Sequence, residues 1–104
     1  MPHSIGLVVN GTMEIDPDDR EKFVALVSQN VADSKGVEGC IQYAFAVDVR
    51  NPNVFHNVEA WIDQAALEKH MSGELMQAAF AEVKKLRVIS RDVTAYSVSG
   101  SSPI

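Results

Sequence analysis

The chain has 104 residues, 46% hydrophobic and 22% charged, with nine Lys and Arg against fourteen Asp and Glu for a net charge of −5. That length suits one domain with a single core, and an acidic chain without a basic cluster is a poor partner for nucleic acid or an anionic membrane, both of which demand concentrated positive charge. The lone cysteine, Cys40, rules out an intrachain disulfide and a multi-cysteine metal site, and with no apolar run of about 20 residues and no export-type N-terminus a cytoplasmic location is expected.

From Ile5 to Ile15 the residues Ile5, Leu7, Val9, Met13 and Ile15 alternate with smaller or polar neighbours, the period of a strand. Asp16-Pro17 supplies a capping oxygen and a preset φ, and Phe23, Leu26, Val27 and Val31 follow at helical spacing, predicting a helix to about Ser34 that stops near Gly36. A second strand is expected from about Cys40 to Val49, with Ile41, Tyr43, Phe45 and Val47 on one face, before the turn around Asn51-Pro52. The third strand, Val54 to Ile62, places Phe55, Asn57, Glu59 and Trp61 on one face and Val54, His56, Val58, Ala60 and Ile62 on the other. Asp63 is read as the cap of a short helix over Gln64 to Met71, and Ser72 as the cap of another in which Leu75, Met76, Ala79, Phe80, Val83 and Leu86 form an apolar stripe. A last strand over about Val88 to Val98 precedes a small, polar tail, 99–104, expected to fray.

This order predicts an α+β fold: a ferredoxin-like βαββαβ sandwich with a four-stranded antiparallel sheet. The joints Ile15-Asp16…Glu21-Lys22 and Ile62-Asp63…Glu68-Lys69 repeat one pattern, as two related halves would. Helices on one face leave the other face of the sheet uncovered, and its residues are partly apolar. A second copy of the chain is the economical cover, so a homodimer is expected, with His56, Val58 and Ala60 at the contact.

Glu38-Gly39-Cys40 opening a strand, Asn51-Pro52 in a hairpin, Glu59-Ala60-Trp61-Ile62-Asp63, Ala66-Leu67, His70 and Ser72 together resemble the antibiotic biosynthesis monooxygenase family of dimeric α/β-barrel proteins. The resemblance runs from about residue 5 to 98, as one domain. It implies a monooxygenase that oxidises a quinol- or anthrol-type aromatic with O2 and uses no cofactor. Family members also include haem-degrading enzymes and sugar-phosphate isomerases, so an isomerase of a small phosphorylated keto-sugar, with Arg87, Arg91 or Lys84 on the phosphate, and a non-catalytic ligand-binding dimer stay open.

Asn57 and Trp61 leave the same strand face roughly 13 Å apart, and the Asn-x-x-x-Trp spacing is similar to that of the cofactor-free monooxygenases. On that resemblance Asn57 donates to a developing oxyanion, Trp61 stacks on the ring and His70 is the general base. The structural alternatives are a satisfied buried amide, a core aromatic and a histidine at a helix C-terminus. Tyr43 and Tyr96 are candidate phenols at the cavity edge, Glu59 a secondary base, and Asn10 and Phe80 candidate substrate contacts. Asn10 matches an asparagine of the haem-degrading relatives, but Phe80 stands where they carry their iron-ligating histidine, so haem is not expected. Cys40 is read as a packing residue, and His3 as solvent-exposed.

Overall fold

The alternation in the first strand is realised residue by residue. In the computed structural model, which describes residues 4–104, Leu7, Val9, Met13 and Ile15 of β1 (Leu7–Ile15) are buried while Asn10 between them is exposed. The expectation for His3 lies outside the described residues.

After β1, Asp16 accepts a hydrogen bond from the Asp18 backbone N–H at 2.9 Å and caps a 3₁₀ turn, Pro17–Asp19, from which α1 (Arg20–Ser34) continues. Its buried stripe is Phe23, Val27 and Ser34. Gly36, at φ +81°, turns the chain out of the helix, a conformation that costs a residue with a Cβ roughly 1–2 kcal/mol. β2 (Cys40–Val47) and β3 (Val54–Trp61) form a hairpin, and the sheet order is β2-β3-β1-β4, every neighbouring pair antiparallel. Asp63 caps α2 (Gln64–Ser72) by accepting from the Ala66 N–H at 2.8 Å, so both Ile-Asp joints end in a capping aspartate. β4 (Val88–Ser97) closes the sheet beside β1.

Two local expectations are corrected. Ser72 is the last residue of α2, its hydroxyl donating back to the Lys69 carbonyl, and the cap of α3 (Glu74–Val83) is Gly73, which lends no side chain. In β2 a bulge sets Cys40 opposite Trp61 but Gln42 opposite Ala60. Ile41 is the extra residue and lies exposed, while Cys40 joins Tyr43 on the helix-covered face.

The helices cover one face of the sheet over two apolar clusters. Met13, Ile15, Phe23, Val27 and Phe55 make one; Leu7, Val9, Trp61 and Leu67 the other. Trp61, Phe23 and Phe55 are almost wholly buried, and each such side chain contributes about 1.5–3 kcal/mol. The opposite face carries the rows Ala44–Val58–Asn10–Thr94 and Gln42–Ala60–Val8–Tyr96. Val58 and Tyr96 are exposed there, whereas Ala60 is buried. No helix among the described residues is long and apolar enough to cross a membrane.

Candidate active site

A cavity of about 360 Å³ opens where the two clusters meet, between the sheet and all three helices. Met13, Phe23 and Val27 of one cluster and Val9 and Leu67 of the other form its apolar walls, with Met76, Ala79, Phe80 and Val83 from α3. Its polar lining is Asn30, Tyr43, Asn57, Glu59, His70 and Arg91. An apolar cavity with a few convergent polar groups is the usual form of a small-molecule site.

The strand register brings those groups together. Tyr43, Glu59, Val9 and Ala95 form one row across the sheet, and Phe45, Asn57, Gly11 and Val93 the next. Asn57 and Glu59, two residues apart on β3, therefore share the covered face, and both are buried. Glu59 Oε1 accepts from Trp61 Nε1–H at 3.0 Å and Oε2 from Asn57 Nδ2–H at 3.1 Å. An indole nitrogen only donates, and an ionised carboxylate only accepts, so the Asn57 amide turns its N–H toward Glu59. Asn57 Oδ1 is then left buried without a hydrogen-bond partner among the described residues. Burial pushes the Glu59 carboxyl above the usual carboxylate range, against the hydrogen bonds from Trp61 and Asn57 and the attraction of Arg91.

His70 lies at the end of α2, its ring 5.1 Å from that of Trp61 and 5.9 Å from that of Tyr43 between centroids. Ser34 donates its one hydroxyl proton to the Asn30 carbonyl at 2.7 Å, so at the 3.3 Å contact with His70 it is Nε2–H that donates to Ser34 Oγ. This places the imidazole proton on Nε2 and leaves Nδ1 as the acceptor. Burial holds the His70 pKa below the ordinary value, favouring the neutral ring. The Tyr43 hydroxyl accepts from Asn30 Nδ2 at 2.9 Å. Burial and the Glu59 carboxylate push its pKa up to about 12, so it stays protonated at neutral pH.

Of the residues singled out from sequence, the cavity gathers Asn57, Glu59, His70, Tyr43 and Phe80. Trp61 lies outside the lining and serves as the donor that holds Glu59. Asn10 and Tyr96 project from the opposite, helix-free face, because each sits one position out of phase with the inward residues Val9 and Ala95. Arg87 is engaged by the carboxylates of Asp16, Asp18 and Asp19 at the start of α1, which leaves Arg91 as the one cation of the three considered that lines the cavity. Asn30 and Ser34, which bond Tyr43 and His70, carry a fainter signal in the sequence: the spacing 23, 27, 30, 34, a helical stripe that begins apolar and turns polar over the site.

The model of the family described as "Antibiotic biosynthesis monooxygenase" matches residues 6–82. The chain is 29% identical over 93 residues to "Putative monooxygenase YcnE" of Bacillus subtilis (strain 168), covering 89% of this chain and 98% of that protein. It is 38% identical over 64 residues to "Uncharacterized protein sll1783" of Synechocystis sp., covering 62% of this chain and 44% of that longer protein. Among solved structures, "a putative antibiotic biosynthesis monooxygenase from Deinococcus radiodurans" superposes with a TM-score of 0.87 at 21% identity, over 94% of this chain and 97% of the other. Protein SO0527 from Shewanella oneidensis does so with a TM-score of 0.80 at 26% identity, over 89% and 90%.

Proposed function

Because the chain belongs to the antibiotic biosynthesis monooxygenase family, we propose that it oxidises a quinol- or anthrol-type aromatic with O2, without flavin, metal or nicotinamide. The observation that carries this reading is the pairing of an apolar cavity of about 360 Å³ with a buried polar end in which Asn57 Oδ1 has no hydrogen-bond partner among the described residues. An aromatic hydroxyl supplies what that end lacks, and its ring fills the rest.

In this reading the bound hydroxyl donates first to Asn57 Oδ1 and then swings to Glu59, which also lines the cavity and which burial makes a stronger base than an ordinary carboxylate, and Glu59 takes the proton. Neutral His70 accepts from a second hydroxyl through Nδ1. The electron-rich anion then reduces O2 directly. For a hydroquinone the ring C–H becomes a carbon–oxygen bond and the product is a hydroxyquinone: one oxygen atom of O2 enters it, the other leaves as water, and all four electrons come from the substrate.

The test is oxygen uptake by the purified, metal-free chain on a panel of hydroquinones and anthrones. Uptake with one water formed per O2 and no added cofactor is expected; uptake that begins only when flavin or iron is added overturns the proposal. A homodimer joined through the helix-free sheet face belongs to the same reading, supported by exposed Val58 and Tyr96 on that face. Light scattering at micromolar concentration should then give twice 11.3 kDa, and a monomer would refute it.

A further inference from the structure

The Asn57 amide is held in its orientation by one neighbour. Its N–H is committed to Glu59 Oε2, Glu59 Oε1 is committed to a donor-only indole, and Oδ1 has no hydrogen-bond partner among the described residues. Asn57 itself is 3% exposed and lines the cavity.

We propose that Glu59 sets the hydrogen-bond polarity that Asn57 presents to the cavity: an acceptor while Glu59 is ionised, a donor once Glu59 is protonated. The reason lies in the donor and acceptor counts. When Glu59 carries a proton, Trp61 Nε1–H still occupies Oε1, so the new O–H points from Oε2 at Asn57, where only Oδ1 can accept it. The amide turns over and Nδ2 enters the cavity. Proton transfer from a bound hydroxyl, in which the ligand O–H bond breaks and an O–H bond forms on Glu59, therefore converts the end of the site from one suited to a hydroxyl into one suited to the resulting oxyanion. Asn57 thus reads the ligand, and Glu59 positions Asn57. The titratable and charged groups around Glu59 are Cys40 and Tyr43 on β2, Arg91 on β4 and His70 on α2. Among them only Arg91 opposes protonation by its charge.

The inference rests on the reading that the cavity takes aromatic hydroxyl compounds, but it concerns binding and needs no turnover. Glu59→Gln imitates the protonated state: its carbonyl must face Trp61, so its amide N–H faces Asn57. Phenol and anisole, which share the ring and its oxygen acceptor but differ in the hydroxyl donor, are titrated at pH 7 by NMR. The parent protein should favour phenol roughly fivefold or more, and Glu59→Gln should lose that preference; since both ligands are neutral, removal of the Glu59 charge alone does not explain the loss.

A second comparison isolates the amide with an anion. 4-Nitrophenolate should bind Glu59→Gln roughly tenfold or more tightly than it binds Glu59→Gln/Asn57→Leu, in which the charge is equally absent but the donor is gone. Should Glu59→Gln fail to fold, Asn57→Leu alone should abolish the phenol preference. Equal affinity of the parent for phenol and anisole, a preference retained in Glu59→Gln, or phenolate binding unaffected by Asn57→Leu would each overturn the inference. Oxygen uptake by a parent that shows no preference sinks this inference alone; a clear preference without oxygen uptake sinks the proposed reaction alone.

Discussion

Ser34 Oγ stands 3.3 Å from His70 Nε2, tying the last residue of α1 to the end of α2 beneath the cavity. Because the Ser34 proton is already given to Asn30, this contact specifies the imidazole tautomer. Ser34→Ala removes the acceptor, and His70 should then populate both tautomers, seen as averaging of its two ring ¹⁵N shifts. The stability cost should be about 1 kcal/mol. An unchanged ring spectrum would show that something else holds the proton on Nε2.

Glu59 and His70 make opposite contributions to the pH dependence of folding. The Glu59 pKa is raised in the fold from 4.5, so its contribution is fully present below about 4.5 and is lost as pH rises through the folded value. The His70 pKa is lowered from 6.5, so the unfolded chain takes up a proton first and stability is lost as pH falls below about 6.5. The stability difference between Glu59→Gln and the parent should therefore be flat below pH 4.5 and grow in favour of the variant above it. Urea unfolding at intervals from pH 4 to 8 measures it, with His70→Gln as the variant whose acid-side slope should vanish. A difference independent of pH would mean that Glu59 titrates alike in both states.

Two glycines with nearly equal backbone angles should differ in importance. Gly36 has φ +81° and open space where a Cβ would stand; Gly39 has φ +82°, and a Cβ there would meet Ala66 Cβ at 2.6 Å and Ile62 Cγ1 at 3.1 Å. Gly36→Ala should cost only the left-handed backbone penalty, about 1–2 kcal/mol. Gly39→Ala should add an overpacking cost of roughly 1–3 kcal/mol, because α2 must move to admit the methyl group. Thermal melts of the two variants decide it. Since α2 carries His70, Gly39→Ala should also disturb the cavity, whereas Gly36→Ala should not.

The sequence shows the strand faces more openly than the atoms at the site. Period-2 alternation in β1 and β3 is local, so it places Val9, Asn57 and Glu59 on one side without knowledge of any partner. The bulge at Ile41 depends on how β2 pairs with β3, a tertiary matter that the uninterrupted pattern Ile41, Tyr43, Phe45 conceals. Trp61 is a similar case. It shares the face of Asn57, but Leu7, Leu67 and the His70 ring enclose it. Which of two residues on one face reaches the cavity is decided by the helices above, and no spacing records that. Ser34 reads in the sequence only as the end of a helix, since one hydroxyl there ordinarily marks nothing more.

Trp61 offers the test of whether Glu59 is the base. Its indole N–H donates to Glu59 Oε1 at 3.0 Å and favours the charged carboxylate. Trp61→Phe removes that donor while keeping most of the apolar volume, so the Glu59 pKa should rise further and the acid limb of the kcat/KM profile should move to higher pH. KM on the alkaline plateau should change little, since Trp61 does not line the cavity. Some stability will be lost with the smaller ring, and unfolding measured in parallel separates that loss from the shift of the limb. Were His70 the base instead, its proton would stay tied to Ser34 and the limb would stay in place. A Trp61→Phe profile that lies over that of the parent at every pH, in a variant that remains folded, removes Glu59 from the proton-transfer step.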